Sequence, residues 1–206
     1  MQYIMDNISV QDTPFPLLII KGTYTEEETD KILKEMKFIS SDNKMEGIYT
    51  NQAKNEEGGD LKSNTGVWVE EIYTGANISD ILRFNIKLLD VLDDIKSEET
   101  GWFWDNYEVA RYFTLLSYYE NGSYYETHKD LAGITAVTYF FDTPKKFKGG
   151  NLEFPSYDIK VPVENNMTVV FPSCIPHMVQ ETSLINNKDM GKQKGRYAML
   201  QFCHPG

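Results

Sequence analysis

The chain has 206 residues, 41% hydrophobic and 25% charged. That balance fits one soluble globular domain with a sizeable core and excludes a disordered chain. A formal net charge of -11 argues against a nucleic-acid backbone as the main partner, since phosphate binding needs a basic surface, and the Lys145/Lys146/Lys148 and Lys192/Lys194/Arg196 clusters are thin.

At the N-terminus, MQYIMDNISVQDTPFP has no basic segment followed by an apolar run, so no signal peptide is expected. No window approaches about 18 uninterrupted apolar residues, so no membrane span is expected either. Cys174 and Cys203 lie far apart and outside any C-x-x-C. Free thiols and a reducing, cytoplasmic location are the simpler reading.

A short strand is predicted over Leu17–Ile20, closed by Gly22. Thr25 with Glu28 forms a capping box, and Ile32, Leu33 and Met36 form one apolar face, so a helix follows. Residues 40–65 are polar and glycine-rich, too long for an idle connection. They are expected to form a lid hinged at Gly47, Gly58 and Gly59, with a surface loop as the alternative. GVWVEEIY (66–73) reads as a strand. NISDILRFNIKLLDVLDDI reads as a helix capped by Asn77, with Ile78, Ile81, Leu82, Leu88, Leu89 and Leu92 at helical spacing.

From Trp102 onward aromatic and β-branched runs alternate with turn signals: YEVARYFTLLSYY, ITAVTYFF, KKFKGG, NLEF, IKVPV, MTVVF, HMVQET and RYAMLQF. Short strands at this spacing predict an antiparallel sandwich or barrel. The expected class is α+β: a jelly-roll core with N-terminal helices packed on one sheet. Residues 1–206 read as one domain, with 14–100 as strand and helix support and 101–203 as the β core.

YYENGSYYETHKDL contains an H-x-D in a chain with three histidines. Alone it is weak, since a strand end with a solvent-facing charge pair produces it too. In an extended segment His128 and Asp130 share one face. His177, in VVFPSCIPHMVQE, begins another apparent strand that a sandwich can bring beside them. Two histidines and one carboxylate make a facial triad that leaves coordination positions open and suits non-haem Fe(II). His204, near the end of the chain, is expected to be exposed. Arg196 shares a strand face with Ala198, Leu200 and Phe202, which looks like core. A buried guanidinium needs a carboxylate, either internal or from a bound acidic cosubstrate.

Together these residues resemble the Fe(II)- and 2-oxoglutarate-dependent oxygenases, in particular the prolyl 4-hydroxylase-like group. The family's Y-x-x-G-x-x-Y-x-x-H-x-D is met by Tyr119, Gly122, Tyr125, His128 and Asp130. G-G-x-L-x-F is met by residues 149–154, F-P-S-x-x-x-H by Phe171 to His177, and the R-Y-A strand by Arg196. The likeness extends over most of residues 14–203. In the segment similar to R-x-S-x-G-x-W only Gly66 and Trp68 match, with Lys62 and Asn64 in place of the usual arginine and serine. Arg196 also follows His177 at more than the usual interval, which leaves Lys192 and Lys194 as neighbouring cations.

The resemblance implies a double-stranded β-helix with Fe(II) on His128, Asp130 and His177. It implies 2-oxoglutarate anchored by Arg196 and bordered by Tyr139 and Tyr119, although packing alone would explain both tyrosines. Dioxygen is the oxidant and ascorbate a supporting reductant. The implied reaction is hydroxylation of an unactivated C–H bond, of a prolyl residue in a peptide or protein, with release of succinate and carbon dioxide. A peptide substrate predicts a groove lined by aromatics such as Trp68. The alternatives are a hydroxylase of a free amino acid or other small molecule, a non-catalytic metal-binding jelly roll, and zinc at the same ligands.

Overall fold

The elements run in the order β1 (Gln2–Met5), β2 (Ile8–Gln11), β3 (Leu17–Lys21), α1 (Glu26–Ser41), β4 (Thr65–Trp68), α2 (Val69–Ile72), α3 (Asp80–Phe84), α4 (Lys87–Lys96) and α5 (Trp102–Asn106). The β-rich part follows: β5 (Arg111–Tyr119), β6 (Tyr125–His128), β7 (Ile134–Phe140), β8 (Phe147–Gly149), β9 (Leu152–Phe154), β10 (Ile159–Val161), β11 (Met167–Pro172), β12 (His177–Val179), β13 (Thr182–Leu184) and β14 (Arg196–His204). This computed structural model describes residues 2–5, 7–41, 45, 58–96 and 101–206. Most of the expected lid over residues 40–65, with Gly47, lies outside the described residues.

An eight-stranded sheet has the order β1-β2-β3-β11-β7-β14-β5-β4, and a four-stranded sheet the order β10-β9-β12-β6. All the pairings are antiparallel, and β13 with β8 forms a further two-stranded piece. Along the central strands the period of two sends side chains to two different cores. Val137 and Tyr139 of β7, Val169 and Phe171 of β11 and Ala198 of β14 meet Leu152, Phe154 and Val179 of the small sheet. Their neighbours Ile134, Ala136, Phe140, Val170, Tyr197 and Met199 face the other way, against the helices. Because both faces are covered, β7 and β11 are buried at every position rather than in alternation.

The outer layer is helical. Ile32, Met36 and Ile39 of α1 and Ile81 of α3 pack on one part of the large sheet. Leu88, Leu92 and Ile95 of α4 and Trp104 of α5 pack on another. The capping box closes as expected: Thr25 N donates to Glu28 at 2.9 Å, and Glu28 N donates to the Thr25 hydroxyl at 3.3 Å. Among the described residues no helix is long and apolar enough to cross a membrane. Cys174 and Cys203 are both free thiols.

Several elements differ from expectation for identifiable reasons. The strand predicted over 66–73 stops at Trp68, and Val69–Ile72 form a helical turn. Past the Trp68–Leu115 pair, the Glu70 carboxylate accepts the Thr114 N–H at 2.8 Å, so a side chain ends the backbone ladder. The single helix predicted from Asn77 is two helices. Ser79, not Asn77, caps the first by accepting the Leu82 N–H at 3.1 Å, and Ile78 lies outside it. The break falls at Asn85, which is fully buried with both its side chain and its carbonyl held by the large sheet. The β1–β2 hairpin and α5 carry no strong sequence signal and were not expected.

Candidate metal centre

β6 and β12 pair so that His128 and His177 are register partners, which places two imidazoles side by side at one end of the small sheet. Asp130 follows in the turn after β6, and its N–H donates to the Ser173 carbonyl at 3.0 Å, tying that turn to the end of β11. One ligand atom from each of His128, Asp130 and His177 lies within 4.8 Å of the others. His177 Nε2 is 3.3 Å and His128 Nε2 3.6 Å from the Asp130 carboxylate.

The surrounding contacts aim these atoms. His128 Nδ1 sits 2.8 Å from the Glu126 carbonyl, and His177 Nδ1 sits 2.9 Å from the Ile175 carbonyl. In a neutral ring, Nδ1–H donates there and leaves the Nε2 lone pair facing the site. Asp130 accepts from the Thr135 hydroxyl at 2.7 Å, and Thr135 in turn bonds Ser173 at 2.7 Å. The Tyr125 ring stacks on His128 at 3.5 Å, while Phe171 packs its edge on His177 at 4.7 Å.

Electrostatics point the same way. Burial, reinforced by neighbouring His177 and opposed by Asp130, pushes His128 down to about 4 and keeps it neutral near pH 7. Burial pushes the Asp130 carboxyl up, but the adjoining His177 and His128 rings and the Thr135 hydroxyl outweigh it and hold it below the usual range. Neutral imidazoles and a charged carboxylate are the forms that bind a divalent ion. This N, N, O set fits such an ion with positions to spare.

Arg196, the first residue of β14, lines the same pocket and is 1% exposed. Its Nη1 donates to the Gly150 carbonyl at 2.8 Å. Its guanidinium carbon lies 4.1 Å from the Tyr119 ring centroid and 5.1 Å from that of Tyr139. Its Nε has no partner, and neither does the Tyr139 hydroxyl. Burial raises both tyrosines and the Arg196 charge opposes it, so both phenols stay neutral donors. Among the described residues no carboxylate pairs with Arg196. A buried cation and an orphaned hydroxyl are the complement of a bound carboxylate, so the pocket fits an acidic cosubstrate.

The structure brings His128, Asp130, His177, Arg196, Tyr139 and Tyr119 to one pocket. Lys194 instead pairs with Asp142 at 2.6 Å, and Lys192 is exposed away from the pocket. His204 is half-buried rather than exposed, with the Phe113 ring edge-on at 5.9 Å. Thr135, Ser173 and the Gly150 carbonyl were missed, because their roles arise from cross-strand neighbours that no local pattern announces. Lys62 and Asn64, which depart from the family's motif, both line the pocket. Burial, opposed by Asp130, lowers Lys62.

Residues 113–204 match the protein family described as the 2OG-Fe(II) oxygenase superfamily. No curated protein matches the chain in sequence. Among solved structures, the chain is similar to a Pseudomonas putida prolyl-4-hydroxylase, with TM-score 0.62 and 15% identity over 92% of this chain and 93% of that one. A Trichoplax adhaerens prolyl hydroxylase in complex with a hypoxia inducible factor oxygen degradation domain peptide fragment matches with TM-score 0.61 and 14% identity over 92% and 83%. The 2OG complex of a viral collagen prolyl hydroxylase from Paramecium Bursaria Chlorella virus-1 matches with TM-score 0.54 and 13% identity over 91% and 94%. At these identities the likeness is one of fold, the double-stranded β-helix expected from the sequence.

Proposed function

We propose, from the premise that residues 113–204 belong to the 2OG-Fe(II) oxygenase superfamily, that this protein hydroxylates a prolyl residue of a peptide or protein. The carrying observation is Arg196, a buried guanidinium without a carboxylate in the pocket that also holds the His128, Asp130 and His177 donors. When bound, Fe(II) and 2-oxoglutarate supply dioxygen activation, with decarboxylation to succinate and carbon dioxide as one oxygen atom enters the substrate C–H bond.

The chain's own residues set the geometry. His128, Asp130 and His177 would hold the ion. Thr135 orients the carboxylate, and the Glu126 and Ile175 carbonyls hold both imidazoles in the ligating tautomer. Arg196 and the Tyr139 hydroxyl would bind a carboxylate of the cosubstrate, and the Tyr119 face holds the guanidinium in place. Apolar walls from Leu152, Phe171, Val179 and Leu200 keep water from the reacting atoms.

The prolyl assignment is carried from the activity named for the structural neighbours. Support within this chain comes from Trp68 and Phe202, whose rings lie 5.5 Å apart at the mouth of the pocket and suit an apolar pyrrolidine. The test is anaerobic reconstitution with Fe(II) and 2-oxoglutarate. Wild type should develop a visible charge-transfer band that Asp130→Ala lacks, and proline-containing peptides should stimulate succinate release and gain one oxygen atom. Iron bound with no band would refute the cosubstrate assignment.

A further inference from the structure

Past Asp130 the inner pocket widens into a second cleft, and the two share Lys62, Leu115, Tyr125, Asp130 and Phe202. The outer part encloses ≈ 430 Å³ against ≈ 90 Å³ for the inner part. The inner volume suits a small dicarboxylate, whereas the outer falls in the range of a larger ligand. Arg196, Ala198, Leu200, Phe202 and His204 alternate along one face of β14: the first four line the inner part, and Phe202 and His204 line the outer.

The outer part is largely apolar and open. Phe113, opposite Phe202 in register, is 44% exposed, and Leu131 is 100% exposed. A small molecule held over the ligands would leave both in water, whereas a polypeptide segment can cover them. Charge narrows the occupant further. Lys62 and Lys129 line the cleft, and Arg111 lies opposite His204 in register on the strand face that carries Phe113. Among the described residues none of the three cations forms an ion pair. Among the described residues the only carboxylate lining the cleft is Asp130, a candidate metal ligand. In a protein of net charge -11, this is a local reversal of sign.

We infer that the cleft docks an acidic, apolar-anchored segment of another protein, in which carboxylates flanking the target residue meet Lys62, Lys129 and Arg111. Trp68, Phe113, Leu131 and Phe202 receive the apolar side chains. This rests on the hydroxylase reading above and names its substrate class.

Three peptides, Ac-X-X-Phe-Ala-Pro-Ala-X-X-NH2 with X as Glu, Gln or Lys, would be titrated calorimetrically into the anaerobic Fe(II)/2-oxoglutarate protein. At low salt the Glu peptide should bind about tenfold more tightly than the Lys peptide, with the gap closing near 0.5 M salt. Arg111→Glu combined with Lys129→Glu should reverse the order while leaving the visible band unchanged. If that pair melts early, Lys129→Gln alone should narrow the gap to about threefold.

Equal affinity for all three peptides with the band intact would overturn the charge complementarity and leave the oxygenase reading standing. Succinate release stimulated by free proline but by none of the peptides would overturn the polypeptide occupant. A Glu-over-Lys preference in protein that forms no band would sink the hydroxylase reading and uphold the docking surface.

Discussion

Two buried polar clusters sit on opposite faces of the large sheet, the outer one joined to β5 and β14, the inner one carried by β14, β7 and the residue before β4. On the outer face, Gln201 donates to the Asn85 carbonyl at 3.0 Å and Asn85 donates to the Thr114 hydroxyl at 2.8 Å. Tyr112 donates to the Asn85 side chain at 3.2 Å, which completes a closed set joining the helical layer to the sheet. On the inner face, Arg196 Nε, the Tyr139 hydroxyl and Asn64 Oδ1 have no partner. Burial and polarity are alike on the two faces. What separates a structural bolt from a receptor is unmet hydrogen-bonding capacity, because an orphaned buried group is costly unless something arrives to satisfy it.

The sharpest way to break this comparison is Arg196→Met. It should raise the 2-oxoglutarate KM about 100-fold or more while iron binding persists. Removing an unpaired buried charge should leave the metal-free fold unchanged or about 1–4 kcal/mol more stable, as read by chemical denaturation. A large loss of stability would make Arg196 structural. The outer cluster should answer in the opposite sense: Asn85→Ala orphans the Thr114 and Tyr112 hydroxyls and should cost about 2–3 kcal/mol with the 2-oxoglutarate KM unchanged.

The two faces should also differ in pH response. His128 is held at about 4 when folded, below the ordinary value of 6.5, so the unfolded chain binds the extra proton first. Metal-free protein should therefore keep this stability above about pH 6.5 and lose it as pH falls toward 4, on the order of 3 kcal/mol in total. Asp130, also lowered, works with the same sign at more acid pH. Melting His128→Leu across that range should give a shallower slope than wild type. The smallest effect is a control remote from both clusters: Thr25→Ala should cost about 1 kcal/mol through the α1 cap and leave KM alone.

Much of the site was legible because its chemistry is carried by residue type at short spacing. His128 and Asp130 stand two apart, and Arg196 stands on an otherwise apolar strand face. Helix α1 was legible for the same reason, through its capping box and apolar stripe. The elements that escaped were those decided by distant partners. Glu70 ends β4 by capturing a β5 amide, and Asn85 breaks a predicted helix because the sheet claims its side chain and carbonyl.

By itself, then, the sequence determined the donor set, the presence of a cation on a core face, and the β-rich class that could bring them together. Only the tertiary structure decided that His177 lies beside His128 and that, among the described residues, no carboxylate pairs with Arg196. It also decided that Lys62, Lys129 and Arg111 come together around one apolar cleft. Periodicity specifies which side of a strand a residue occupies, whereas strand order and register come from long-range packing that no local window contains.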